Sequence, residues 1–161
     1  MGLMLNETLS NERLKKVTVN WAYRRQVDKN WYSEVLDGKG LYYISTKFGT
    51  NYTPRYIGQT YNNYFARFID HDWYWLNEYR GTKFFRLGSI GFPTGKSKDE
   101  MKQLYVDVES ALIYEMKKLY KDKLRNVMST KTYEPSHLYV IRNIGYRGEL
   151  PEVISMRDHI D

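Results

Sequence analysis

The chain has no cysteine. That excludes disulfides, cysteine-ligated zinc and a thiol nucleophile, and it fits a reducing, cytoplasmic setting. No uninterrupted apolar stretch approaches the ~20 residues a membrane span needs. The opening Met1-Gly2-Leu3-Met4-Leu5-Asn6 lacks the cationic segment and apolar run of a signal peptide. Internal repeats and low-complexity tracts are absent too. Histidine is scarce, with 3 in all. His137 and His159 have no neighbours at metal-ligand spacing.

What is present suits a single folded domain. Of 161 residues, 42% are hydrophobic and 27% charged, enough apolar material for a sizeable core. Aromatics make up 16%, with 16 tyrosines, which suits wet interfaces as well as cores and is equally consistent with a compositional bias. Lys+Arg number 25 against 19 Asp+Glu, a net charge of +6, which favours polyanionic partners through counterion release.

Residues 1–38 are polar and mixed in charge, and a helix is expected within Asn11–Gln26. Asp37-Gly38-Lys39-Gly40 signals a turn. Leu41–Thr46, rich in aromatic and β-branched residues, reads as a strand, and Arg55–Gly58 as its hairpin partner after Gly49-Thr50-Asn51. From about Asn62 the period becomes helical, with Phe65, Phe68, Ile69 and Leu76 as the apolar seam. Thr82–Ile90 reads as a third strand. Ser97-Lys98-Asp99-Glu100 matches a capping box that opens a strongly amphipathic helix. The tail from Leu138 to Ile154 suggests a short hairpin around Arg147-Gly148. The fold expected is α+β: a small three-stranded antiparallel sheet flanked by helices, with N- and C-terminal extensions.

Several side chains within this order are suited to chemistry. Arg67 and His71, four apart, share a helix face opposite the seam. They are either a solvated polar face or a guanidinium–imidazole pair suited to a phosphate oxygen and its proton traffic. Glu109 lies about 20° around its helix from Met116 and about 40° from Tyr105, at ~100° per residue. A carboxylate bordering the buried side must form an ion pair or bind a cation. Tyr42 and Tyr56 are core aromatics or a pair on one sheet face, depending on register. Asn126 could terminate a helix. Lys117, Lys118, Lys121, Lys123 and Arg125 form a basic cluster that either lies along a phosphate backbone or complements a helix end.

Gly40-Leu41-Tyr42, Tyr56-Ile57-Gly58, Arg67 with His71, Glu109 and Asn126 follow one another along the chain. This order resembles the GIY-YIG nuclease superfamily, which includes homing endonucleases, repair excision nucleases and restriction enzymes. Leu41 stands where the family usually has Ile, an apolar exchange. The resemblance spans Lys39 to Asn126 and implies a nuclease core over 39–127, between extensions 1–38 and 128–161 of the same compact unit. It further implies a Mg²⁺-dependent endonuclease (Mn²⁺ able to substitute) that hydrolyses phosphodiesters of double-stranded DNA. In that scheme Tyr42 contacts the attacking water, His71 takes its proton, Arg67 stabilises phosphate charge and Glu109 holds the metal. Tyr56 contacts phosphate or supports Tyr42, and Asn126 orients groups near the metal. The short flanks favour a type II restriction-like enzyme, as a homodimer, over a homing or repair nuclease. A catalytically inactive DNA-binding module is the further alternative.

Overall fold

The computed structural model describes residues 15–27, 40–60, 74–91, 96–126 and 139–156. Its strands are β1 (Lys15–Trp21), β2 (Arg25–Gln26), β3 (Gly40–Phe48), β4 (Asn51–Thr60), β5 (Thr82–Ile90), β6 (Tyr139–Gly145) and β7 (Val153–Ser155). All seven belong to one sheet of order β4-β3-β5-β1-β6-β7, with β2 pairing with β5. Among the described residues there is one α-helix, α1 (Lys98–Tyr120), and two short 3₁₀ turns, Tyr74–Glu78 and Lys121–Lys123. No helix among them is long and apolar enough to cross a membrane.

The expected fold class is therefore corrected. The three antiparallel strands β4-β3-β5 are present, yet they form one side of a larger mixed sheet with a single described α-helix, not a small sheet flanked by helices. The sheet is widened by β1, where the sequence reading expects a helix. In Lys15–Trp21 the side chains of Val17, Val19 and Trp21 are buried while Lys16, Thr18 and Asn20 are exposed. That two-residue period, with β-branched Val17, Thr18 and Val19 at its centre, belongs to a strand. β1 pairs antiparallel with β5 (Val19↔Ile90, Trp21↔Gly88) and parallel with β6 (Lys15↔Tyr139 through Trp21↔Gly145). Strands from outside 39–127 thus share the sheet of the core. The tail folds back as β6 and β7, antiparallel, with Ile141 opposite Ile154.

β3 is the central strand of the β4-β3-β5 group. Every residue from Leu41 to Thr46 is buried, because alternate side chains enter two different cores. On one face Leu41, Tyr43 and Ile57 pack beneath α1 with Val17, Val19, Trp21, Ile90 and Ile141. On the other, Tyr42, Ile44 and Phe85 pack with Leu76, Tyr56 and Trp75. The hairpin turns at Gly49, whose φ of 64° is the left-handed conformation glycine tolerates best. A register shift after Ile44 pairs Ile44 with Tyr56 and Ser45 with Pro54, leaving Arg55 as the extra residue of a bulge. Pro54 is tolerated because β4 is an edge strand at this bulge.

α1 starts as its capping box dictates: the Glu100 N–H donates to Ser97 Oγ (3.2 Å) and the Ser97 N–H to Glu100 Oε1 (3.3 Å). Met101, Leu104, Val108, Leu112 and Met116 are buried, whereas Leu119 is 56% exposed.

Candidate active site

The register places the two tripeptide tyrosines on the same face. Tyr42 lies opposite Gly58, and Ile44, two residues on, lies opposite Tyr56. The two rings stack at a centroid distance of 6.0 Å and an interplanar angle of 18°. The glycine is required for this packing: a Cβ on Gly58 would sit 2.2 Å from Tyr42 Cζ and 2.3 Å from its hydroxyl oxygen. Tyr42 is wholly buried and Tyr56 half-buried, so a ligand approaching this face meets Tyr56 first.

From Tyr56 an aromatic row leads along the edge of the sheet. Trp75 lies 5.8 Å from Tyr56, and Tyr79 lies 6.1 Å from Trp75, edge-on at 86°. Two guanidinium groups close the row. Arg55 sits 3.8 Å over the Tyr79 ring, and Arg125 lies 5.7 Å from Trp75. Arg125 also pairs with Glu78 at 2.9 Å. Partial burial draws the Arg55 pKa down from its ordinary value, and neighbouring Tyr79 opposes that shift. Arg55, Trp75 and Tyr79 escaped the sequence reading. Their only local signal was a high density of aromatic and basic residues, which the whole chain shares.

Asn126 closes the edge of β4. Its Oδ1 accepts from the Ile57 N–H (2.9 Å) and its Nδ2 donates to the Ile57 carbonyl (2.7 Å), so the amide stands in for a neighbouring strand. The Arg125 N–H donates to the Arg55 carbonyl beside it. Asn126 thereby holds the strand that carries Tyr56 and Gly58. Replacing it with Asp removes the donor and sets a buried carboxylate against the Ile57 carbonyl. A loss of about 2–3 kcal/mol is expected, a fall in Tm of roughly 5–10 °C. Unchanged melting of this variant would deny the amide its positioning role.

Arg67 and His71 lie outside the described residues. Glu109 is half-buried at the margin of α1, which packs on the face opposite the Tyr42 ring. Because β4 is the sheet's edge, a group on α1 can share a ligand with Tyr56 only around that edge. Gln59 points to the α1 side, level with Leu41, and its Oε1 is buried without a hydrogen-bond partner among the described residues. A carboxylate and an amide oxygen on one side of β4 are the hard donors Mg²⁺ takes. Among the described residues no three His, Asp or Glu side chains cluster as a metal site, so any metal there must keep waters or phosphate oxygens as its other ligands. Lys118, Lys121, Lys123 and Arg125 are exposed and Lys117 half-buried, at the C-terminal end of α1 and just beyond it.

A second polar cluster lies on the α1 side. Arg86, 5% exposed, donates from Nη1 to Ser45 Oγ (3.2 Å) and lies 5.5 Å from the Tyr43 ring. The Tyr43 hydroxyl donates to Glu149. Gly148, at φ 59°, leaves room for the guanidinium, whose Cζ would be 2.9 Å from an added Cβ. Burial, and then the Glu149 charge, push the Tyr43 phenol well above its usual pKa. Burial raises Tyr120 and Tyr139 as well. A phenol ionises near pH 10 in the unfolded chain and higher in the folded one, so its contribution is intact below about pH 10 and lost above. The Tm should fall as pH rises past about 10, and Tyr43→Phe should make that fall shallower. An identical alkaline slope in the variant would remove Tyr43 from the account.

No family model, no curated protein and no solved structure matches the chain.

Proposed function

We propose that the protein is a Mg²⁺-dependent DNA endonuclease of the GIY-YIG kind, cytoplasmic and restriction-like. The observation that carries the reading is the stacked pair of Tyr42 and Tyr56, one from each tripeptide, on a single face of the β3–β4 hairpin. Support comes from the arginines at the end of the same aromatic row, where guanidinium groups could hold phosphates flanking a scissile bond.

The chemistry would run as follows. His71 takes the Tyr42 phenol proton, and the phenolate takes a proton from water. The water oxygen bonds to phosphorus in line as the P–O3′ bond breaks, and solvent protonates the leaving oxygen. Arg67 stabilises the charge gathering on the non-bridging oxygens. Glu109 would hold Mg²⁺, which when bound polarises the phosphate and stabilises the leaving oxygen. Tyr56, being accessible, contacts the phosphate. Cutting both strands of a duplex would take two copies of the chain, each supplying one site.

The complete burial of Tyr42 favours one competing reading, a DNA-binding module without catalysis. Supercoiled plasmid incubated with and without Mg²⁺ separates the two. Nicked or linear product with Mg²⁺ alone is expected, and Tyr42→Phe should slow its formation at least about a hundredfold while the variant stays folded. Plasmid that is bound but left intact by folded protein, with Mg²⁺ or Mn²⁺, would establish the module instead. Parental cutting by Tyr42→Phe would remove the phenol from the reaction.

A further inference from the structure

At the far end of the α1 face, beyond the reach of α1, four separate chain segments converge. They are residues 22–26, 47–52, 82–84 and 145–147, and together they carry five Arg or Lys, five aromatics and no Asp or Glu. The register puts Lys47 opposite Tyr52, and Ser45 opposite Phe84, on the side of the sheet that Tyr43 faces. This surface is therefore across the sheet from Tyr42 and Tyr56.

Its centre is Arg24. The guanidinium lies 5.3 Å from the Tyr23 ring, 5.5 Å from Tyr52 and 5.1 Å from Phe84. Lys47 Nζ sits 5.3 Å from the Tyr52 ring. Tyr23 meets Tyr146 edge to face at 5.1 Å, and these two rings are 58% and 59% exposed. The ion pairs of Arg125 with Glu78 and of Arg142 with Glu152 lie away from this surface. A cation held among rings keeps its N–H edge for an anion, and exposed ring faces accept flat partners.

We infer that this surface binds single-stranded nucleic acid, with phosphates on Arg24 and Lys47 and unpaired bases stacked on Tyr23 and Tyr146. Both halves of the chemistry are needed: a lipid headgroup or acidic peptide would use the charge but leave the rings unmatched, and a duplex hides its base faces. The inference does not depend on the nuclease reading. It concerns residues that take no part in that site and is tested without metal.

The test is fluorescence anisotropy in EDTA, with a labelled oligothymidylate of about 20 nucleotides and a duplex of equal length. The oligothymidylate should bind more tightly than the duplex. Tyr23→Ser with Tyr146→Ser should weaken it at least about tenfold with Tm unchanged and duplex affinity little altered. Tyr23→Phe with Tyr146→Phe, which keeps the rings, should restore binding. Arg24→Gln should lower the slope of log K against log salt by about 0.7, one phosphate's worth on a single strand. Oligothymidylate binding untouched by the serine variant, or lost equally for the duplex, would overturn the proposal. So would a folded parent that ignores the oligonucleotide but sediments with phosphatidylserine-containing vesicles. Plasmid cleavage reports on Tyr42, Glu109 and their neighbours and not on Tyr23, Arg24 or Tyr146, so either reading can fail alone.

Discussion

Glu109→Gln should abolish Mg²⁺-dependent cleavage while leaving the protein folded and able to bind DNA. The amide keeps the shape of the carboxylate and loses its charge, and Mg²⁺ binds a neutral amide far more weakly than a carboxylate. A rate loss of at least about a hundredfold follows if Glu109 is the chain's anionic metal ligand. DNA affinity measured in EDTA should hold or improve, because one negative charge has left the neighbourhood of the phosphates. Glu109 is half-buried, so the alternative role, half of an ion pair, predicts a different outcome. Stranding a fully buried cationic partner costs about 3–5 kcal/mol, and partial exposure reduces that. Cleavage would then decline only in step with a Tm lowered by several degrees. Melting, affinity and cleavage measured on this one variant separate the two cases. A stable variant that cuts at the parental rate would end the metal role of Glu109.

Gly58→Ala should be among the most damaging single-methyl additions in the chain. The new Cβ would lie 2.2 Å from Tyr42 Cζ, 2.3 Å from its hydroxyl oxygen and 2.7 Å from Cε1. The ring cannot retreat easily, being wholly buried with Ile44, Phe85 and Leu76 and stacked on Tyr56. Overpacking of this kind costs about 1–3 kcal/mol, and contact with a rigid ring places it at the upper end. The expected fall in Tm is roughly 6–12 °C. Tyr42→Ala alone leaves a cavity and should cost about 3–5 kcal/mol. Combined, the two changes should cost less than their sum by about 1–2 kcal/mol or more, because the cavity accepts the methyl. Strict additivity would show that the ring and the glycine do not meet. This contact also gives the two tripeptides a packing logic of their own: the tyrosine of the first needs the glycine of the second, whatever the protein does.

The hairpin, the third strand and the capped helix were legible because each is set by neighbours in sequence. Gly49-Thr50 turns the chain, β-branched and aromatic residues stiffen β3, and Ser97 with Glu100 satisfies the first N–H groups of α1. The pairing of Tyr42 with Tyr56 was legible only conditionally. Alternation assigns side chains to faces, but the bulge at Arg55 sets which residue meets which. β1 was misread as helix, though Lys16-Val17-Thr18-Val19-Asn20-Trp21 alternates along its length. The signal is short, and its strongest partner, β6, joins it in parallel from more than a hundred residues away. No turn chemistry announces such a pairing. Asn126, by sequence a helix terminator or a residue near the metal, acts as a substitute strand that only the fold reveals, because its partner is the backbone of Ile57. Local sequence, then, decided turns, caps and strand character, where the interacting groups are a few residues apart. Tertiary structure alone decided the width of the sheet, the burial of Tyr42 and the gathering of Arg24 with three rings, since those depend on surfaces meeting that the chain holds far apart.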